Sequence, residues 1–395
     1  MSTFLAPKQT EIGINSFSKL AQLINSLNSQ RPFIVMDHFL AKPPLELNNE
    51  LLKNCEDLNI SFEFFTDYSG EPTTQHIDKA LYMAKQHQAD CIIAIGGGSA
   101  LDIGKVLKVL IPNDSLTLFD LYEHFPSHTL PMVAIPTTAG TGSEATKIAV
   151  ITDTNTNQKI NPGNFKLVPD LALLDGKLVE SLPSHFTAYT GMDALTHAIE
   201  AVLSTKANII TDHFAFKAID IIAKNIETAY TDGKNLNARE QMLIGSYFAG
   251  LAFSNSSTNL AHAGGRALGT EFHIPHGLSV SILLPYVLEF NEGIADDKLV
   301  QISDYLTQSY ASSTEDLKVD SAKNRVNGLL VKLDIWQNAS QYIDPNQLYE
   351  SIPTLVKNAF DGNGIKTNLK EPEFKDLENI YLSLHKKIQT KFIQS

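Results

Sequence analysis

The spacing of apolar positions changes character along the chain. Phe17, Leu20, Leu23, Ile24 and Leu27 recur at helical spacing, which predicts an amphipathic helix. Arg31-Pro32 breaks that pattern, and Phe33-Ile34-Val35-Met36 reads as a short buried strand. Ile60 to Phe65 reads as a second strand, Thr73 to His87 as a helix, and Cys91 to Ile95 as a third strand. That third strand runs into Gly96-Gly97-Gly98-Ser99 and a helix reaching Leu110. Met132 to Ile135 is a fourth strand, stopped by Pro136; Ile148 to Ile151 and Leu171 to Leu174 are also strand-like. Strands alternating with helices predict a mostly parallel sheet covered on both faces.

The texture changes near Leu182-Pro183-Ser184. Thr187 to Leu203, Asp212 to Tyr230, Arg239 to Phe253 and Leu278 to Phe290 all read as long helices, and no convincing strand follows. The expectation is an α/β domain over residues 1–184, Rossmann-like, and an all-helical domain over 185–395.

Composition narrows the class. The 395 residues are 43% hydrophobic and 19% charged, which suits a folded protein with a sizeable core. The net charge of −13 disfavours nonspecific binding to nucleic acid or to anionic membranes. The only two cysteines, Cys55 and Cys91, form neither a CxxC pair nor a disulfide framework. The first residues do not read as a signal peptide, and no segment has the ~18 apolar residues of a membrane span. A cytoplasmic protein without nucleic-acid or membrane partners is expected.

Two loops carry candidate binding chemistry. Three glycines between a strand and a helix let the backbone approach a pyrophosphate, and the helix N-terminus supplies N–H groups and a positive dipole. Ser99 can cap that helix or donate to a phosphate; a tight turn without a ligand is the alternative. Pro136-Thr137-Thr138-Ala139-Gly140-Thr141-Gly142-Ser143-Glu144 also follows a strand and is rich in hydroxyls. In a doubly wound sheet, loops at the strands' carboxyl ends share one crevice. Neither a Walker A sequence nor GxGxxG is present. Asp37 ends the first strand, where a carboxylate can accept from a ribose hydroxyl and repel a 2′-phosphate, favouring NAD over NADP. A capping or turn aspartate is the competing reading.

Six of the twelve histidines lie between His185 and His276. Asp193 and His197 are four residues apart and so about 40° apart on a helix, in joint reach of a metal. His262 and His276 follow. One carboxylate and three imidazoles suit Fe²⁺ or Zn²⁺ better than Ca²⁺ or Mg²⁺. Taken singly, each histidine also reads as a capping or core residue.

Several stretches together resemble the iron-containing (group III) alcohol dehydrogenases. They are Gly96 to Ser99 with Asp102 and Lys105, Pro136 to Glu144, Gly191-Met192-Asp193-Ala194-Leu195-Thr196-His197-Ala198-Ile199-Glu200, and Pro275-His276-Gly277 with Leu283-Leu284-Pro285. Thr367 to Tyr381 resembles the family's closing segment. The resemblance implies a dehydroquinate synthase-like fold with Asp193, His197, His262 and His276 as metal ligands. It implies cofactor binding by Gly96, Gly97, Gly98, Ser99 and Asp102, with Thr137, Thr138, Ser143 and Lys159. It further implies reversible hydride transfer between a primary alcohol or aldehyde and NAD(P), with Fe²⁺ (or Zn²⁺) polarising the substrate oxygen. Substrate is expected in a cleft between the domains, near Phe253 and Leu260. A homodimer or larger homo-oligomer is also implied.

One position departs from the family pattern. Many members carry a histidine four residues after the third ligand; here it is Arg266, which cannot shuttle a proton at neutral pH. Arg266 would then bind a substrate carboxylate or a cofactor phosphate, or form a structural salt bridge, and His273 is the substitute proton relay. Competing functions are a zinc polyol dehydrogenase, a dehydroquinate-synthase-like cyclase and an inactive nucleotide-binding scaffold.

Overall fold

A computed structural model describes residues 3–392 apart from 44, 57–59, 124–125, 127, 157, 308–314 and 363. The chain divides into two compact units, Met1–Glu180 and Ser181–Ser395.

The first unit is built on a six-stranded sheet. Its strands are β1 (Gln9–Ile12), β2 (Pro32–Met36), β3 (Glu63–Phe65), β4 (Cys91–Gly96), β5 (Met132–Pro136) and β8 (Leu171–Leu174), in the order β1-β8-β5-β4-β2-β3. Every pairing in it is parallel. A two-residue antiparallel pair, β6 (Ile151–Thr152) with β7 (Lys159–Ile160), stands apart.

Strand alternation sorts the core into two layers. Phe33 and Val35 of β2, Ile92 and Ala94 of β4, and Met132 and Ala134 of β5 face α3 (Thr74–Gln86) and α4 (Gly98–Leu110). Ile34, Met36, Ile93, Ile95, Val133 and Ile135 face the other way, onto α1 (Leu20–Ser26) and α2 (Leu47–Asn54). Burial on both faces explains why these strands read as continuous apolar runs. The strands stay parallel, but the order in which they are added reverses between β2 and β4, so the carboxyl ends of these strands, with that of β5, lie side by side. Asp37, Gly96 to Gly98 and Thr137 therefore stand together at the carboxyl ends of the central strands.

The second unit is built of helices joined by loops, with one isolated β-bridge, Ser204 to Asn368, among its described residues. Its helices are α5 (Ser184–Val202), α6 (Ile209–Thr231), α7 (Leu236–Asn255), α8 (Leu260–Phe272), α9 (His276–Phe290), α10 (Asp296–Thr307), α11 (Glu315–Lys332), α12 (Ile335–Ala339), α13 (Pro345–Phe360) and α14 (Phe374–Phe392). α5, α6 and α7 pack mutually, while α9 touches α5, α8, α11, α12 and α14. α8 was the element least visible in sequence, because Ala261 to Gly269 contains three glycines that weaken helix propensity. It forms because its buried face, Leu260, Ala261, Ala263 and Leu268, packs in the unit's core. The strand read over Ile148 to Ile151 shrinks to β6: Lys105 Nζ takes the Ile148 carbonyl, and Asp102 takes the Val150 N–H. Side-chain partners replace a ladder there.

Candidate functional site

In the first unit, β4 ends at Gly96, whose φ is +155°, and an added Cβ would stand 2.8 Å from that of Ala100. Only glycine meets both demands, so the strand turns directly into α4. The first-turn N–H groups of α4, after the Gly97 cap, have no intrahelical acceptors, the arrangement with which a helix start can take an anion. Asp37 is held at the same carboxyl-terminal end of the sheet: Oδ1 accepts from Tyr68 Oη at 2.7 Å and Oδ2 from the Gly97 N–H at 2.8 Å. Burial raises its pKa, with Tyr68 and Gly97 pulling it back. Each carboxylate oxygen keeps a second lone pair with which to accept. Thr137 Oγ1 is buried without a protein partner, and Thr138 packs its methyl beside Gly97.

Other predicted cofactor residues have different surroundings. Ser99 donates its hydroxyl to the Gly70 carbonyl at 2.9 Å, which commits its single proton to the protein. Lys159, on β7, pairs with Glu71 at 2.7 Å. Asp102 and Ser143 are buried and face each other: Ser143 Oγ donates to Asp102 Oδ1 at 2.6 Å, and Val150 N–H donates to Oδ2 at 2.9 Å. Lys105 completes this network, with Nζ 2.6 Å from Ser143 Oγ and 2.7 Å from Thr146 Oγ1. Burial pulls the Lys105 ammonium's pKa down, and Asp102 and Glu144 oppose that. Burial likewise pushes Glu144 up to about 7. In this structure Asp102, Lys105 and Ser143 fasten the second loop to α4.

In the second unit, Asp193, His262 and His276 come together from α5, α8 and α9. Their ligand atoms lie within 4.8 Å of one another. Gly277 makes this approach possible: a Cβ there would stand 2.8 Å from the Tyr189 carbonyl carbon and 3.2 Å from Asp193 Cβ. The start of α9 can therefore press against α5. His262 Nε2 stands 3.4 Å and His276 Nε2 3.8 Å from Asp193 Oδ1. Ligands about 2.1 Å from one ion in a tetrahedral arrangement are on the order of 3.4 Å apart, so the spacing fits. Asp193 Oδ1 and His262 Nε2 are also buried without a hydrogen-bond partner, which a cation would supply.

His197 lies one step outside the trio. Its Nδ1 is 4.0 Å from Asp193 Oδ2, and its ring stacks between His262 (centroids 4.2 Å apart) and Phe253 (4.1 Å). Phe253 thus walls the histidines.

Glu200 is the residue that motif reading quoted without assigning a role. It is fully buried, accepts from His262 Nδ1 at 2.6 Å and from the Ala261 N–H at 2.6 Å, and its carbonyl accepts from Asn259 Nδ2 at 2.7 Å. A proton on Nδ1 donated to Glu200 leaves the Nε2 lone pair for a metal. The signal in sequence was the spacing Asp193, His197, Glu200, at i, i+4 and i+7 on one buried helix face. Burial pulls the His262 pKa down, but Glu200 and Asp193 outweigh it and carry it up to about 9. Burial raises Asp193, while His197, His262 and His276 overcome that and hold it below its ordinary value.

The two residues expected to act in proton transfer or anion binding are placed differently. His273 is exposed and closes α8 in the left-handed conformation (φ 53°), outside the carboxylate–imidazole trio. Arg266 follows His262 by one turn of α8 and reaches the end of α13; its Nη2 is 3.5 Å from where a Gly362 Cβ would stand. Burial pulls its pKa down, opposed by Glu200.

A parallel sheet with a glycine turn, followed by a helical unit with a carboxylate–imidazole cluster, suits a metal-assisted dehydrogenase. Comparison supports that class: residues 7–176 match the family model for iron-containing alcohol dehydrogenase, and residues 187–385 that for the C-terminal part of the Fe-containing alcohol dehydrogenase family. The chain is 38% identical to the probable alcohol dehydrogenase EutG of Escherichia coli over 303 residues, 76% of each chain. It is 29% identical to the NAD-dependent methanol dehydrogenase of Bacillus methanolicus, over 96% of this chain and 99% of that one. Its fold superposes on a 1,3-propanediol oxidoreductase with a TM-score of 0.90 at 27% identity, covering 97% of this chain and 100% of that one. The chain belongs to the iron-containing alcohol dehydrogenase family. It is a metal-dependent, NAD(P)-linked oxidoreductase acting on CH–OH, and the polyol dehydrogenase, cyclase and scaffold readings are not favoured.

Proposed function

We propose that the chain interconverts small primary alcohols and aldehydes, with Asp193, His197, His262 and His276 holding Fe²⁺ (Zn²⁺ as the alternative ion). The observation that carries this is the facing pair Asp193 Oδ1 and His262 Nε2, both buried and unpartnered, 3.4 Å apart. When bound, the metal supplies a Lewis acid for the substrate oxygen, and the nicotinamide exchanges the hydride.

The chain's own residues orient and hold these groups. Glu200 fixes the His262 ring with Nε2 outward. Phe253 stacks on the His197 ring and covers that side of the histidines with apolar surface, which strengthens charge interactions there. Gly96 to Gly98 and the first turn of α4 bind the pyrophosphate, Thr137 Oγ1 supplies a free hydroxyl, and Asp37 accepts from the ribose. Arg266 carries a fixed positive charge and takes no part in proton transfer.

The relatives' names, which run from methanol, butanol and 1,3-propanediol to long-chain alcohols and sulfoacetaldehyde, support an alcohol or aldehyde substrate. We further propose a cytoplasmic homo-oligomer. Both described cysteines are free and buried, and no described helix is long and apolar enough to cross a membrane. β1 is an edge strand with Ile12 46% exposed, which suits pairing with a second copy.

An anaerobic panel of aldehydes and alcohols with NADH and NADPH, on protein loaded with Fe²⁺ or Zn²⁺, tests this reading. His262→Ala or Asp193→Ala is expected to lower metal content and aldehyde-dependent NADH oxidation together. Full activity in metal-free His262→Ala protein overturns it.

A further inference from the structure

We propose that Asn259 is a positioning residue for the metal centre, taking Asp193, His197, His262 and His276 as the ligands. It acts through Glu200, by an exchange of partners between the end of α5 and the start of α8. Asn259 caps α8 and is fully buried, yet its side chain makes no capping bond. An asparagine at that position ordinarily accepts from the second or third N–H of its helix. Here Glu200 takes that place from α5: Oε1 accepts from the Ala261 N–H at 2.6 Å and from the His262 N–H at 3.4 Å. A carboxylate suits the positive end of a helix better than an amide does. The Asn259 side chain turns to α5 instead, and Nδ2 donates to the Glu200 carbonyl at 2.7 Å. That carbonyl lies in the last turn of α5, where no intrahelical donor reaches. Each residue thus satisfies the other's helix end, and both are sealed from water.

The exchange fixes Glu200 at two points. Asn259 ties its main chain and the Ala261 N–H ties Oε1, which leaves Oε2 2.6 Å from His262 Nδ1. Without the Asn259 bond, the Glu200 carbonyl is a buried acceptor short of a donor, and the last turn of α5 must shift to find one. Glu200 moves with that turn and loosens its hold on the His262 ring. The amide is itself held from the other side. Asn259 Oδ1 is 3.0 Å from Thr367 Oγ1, a hydroxyl that also lies 2.9 Å from Ser257 Oγ and 2.6 Å from the Gly364 carbonyl. A carbonyl can only accept, so the amide nitrogen faces Glu200 and the amide oxygen faces the hydroxyl. The Thr367 main chain is in turn tied to the segment after α5, its carbonyl accepting from the Thr205 N–H at 2.8 Å.

Competition for Zn²⁺ between the full-length chain and a chelator tests this. Asn259→Ser keeps a good helix-capping residue whose side chain is too short to span to α5, and Asn259→Asp keeps the size and loses the donor. Each is expected to weaken Zn²⁺ binding about three- to tenfold, less than the roughly 10- to 100-fold of a ligand's direct partner, because Asn259 stands one step further out. The deciding readout is the same two substitutions in a Glu200→Gln background. There each is expected to change affinity by less than about twofold, since the charge through which Asn259 acts is gone. A merely structural asparagine would weaken binding by equal factors in both backgrounds, and that result overturns the proposal. So does parental affinity in both Asn259 variants. If neither variant folds, Thr367→Val, which keeps the side-chain shape without the hydroxyl, is read by the same comparison. Asp193→Ala separates the positioning role from the ligand assignment beneath it. Parental Zn²⁺ affinity in that variant sinks the metal centre itself; binding lost there, with parental affinity in the Asn259 variants, sinks only the positioning role.

Discussion

Glu200 Oε2 stands 2.6 Å from Nδ1 of His262, and the contact lies in a fully buried setting. The same carboxylate takes the Ala261 N–H, so one side chain of α5 fixes both the start of α8 and the ring that α8 carries. Glu200→Gln keeps an acceptor but loses the charge that makes the ring a better ligand. Metal affinity is expected to fall about 10- to 100-fold. Competition against a calibrated chelator measures this, and an affinity within twofold of the parent protein would show that Glu200 only packs.

Lys105 is a fully buried cation whose Nζ meets Ser143, Thr146, the Ile148 carbonyl and Asp102. Lys105→Met keeps the length and removes the charge, leaving the Asp102 and Ser143 groups short of a partner. Breaking a buried pair in this way costs about 3–5 kcal/mol. Because the network tethers the loop after β5, KM for NADH is expected to rise more than kcat falls. Urea unfolding and steady-state kinetics test the two effects separately. A stable variant with parental KM for NADH would contradict the tether.

The difference between what sequence showed and what it hid follows the range of the interactions. Strands such as Ile92 to Ile95 were legible because burial on both faces leaves only apolar residues, a local property. The pairing of Asp193 with His197 was legible because four residues on a helix define one face. The close approach of α9 to α5 at Gly277 was not, because a glycine's purpose there depends on Tyr189, far away in the chain. Ser99 and Asp102 matched a cofactor-binding pattern, yet their hydrogen bonds go to Gly70, Ser143 and Val150. A motif fixes residue types, and only the packed fold decides which groups already have partners. His273, offered from sequence as a substitute proton relay or a solvent-facing residue, closes α8 and is exposed.

Glu144 introduces a pH dependence of stability. It is buried with Oε1 unpartnered, and burial raises its pKa from 4.5 to about 7. The folded state therefore holds this proton where the unfolded chain releases it. Stability contributed by the neutral acid is present below the unfolded pKa and is lost as pH rises toward 7. The loss reaches on the order of 3 kcal/mol above that point. Glu144→Gln removes it, so the variant is expected to be more stable than the parent at pH 8, with the advantage shrinking toward pH 5. Urea midpoints of both proteins at the two pH values test this, and a difference independent of pH would count against it.

Asp37 tests cofactor choice. Its carboxylate is held in place by Tyr68 and Gly97, at the carboxyl end of β2 beside the glycine turn. A fixed negative charge there repels a 2′-phosphate, and at an effective dielectric of about 20 such repulsion amounts to a few kcal/mol at contact distance. Asp37→Gly is expected to raise the ratio of kcat/KM for NADPH over NADH at least about tenfold, which corresponds to about 1.4 kcal/mol. Tyr68→Phe removes a hydrogen bond but keeps the charge, so it separates repulsion from mere disorder of the loop. Its ratio is expected to stay within about threefold of the parent, a change of under 1 kcal/mol. Equal shifts in the two variants would show that positioning, and not charge, sets the preference. No shift in either would remove Asp37 from the ribose site.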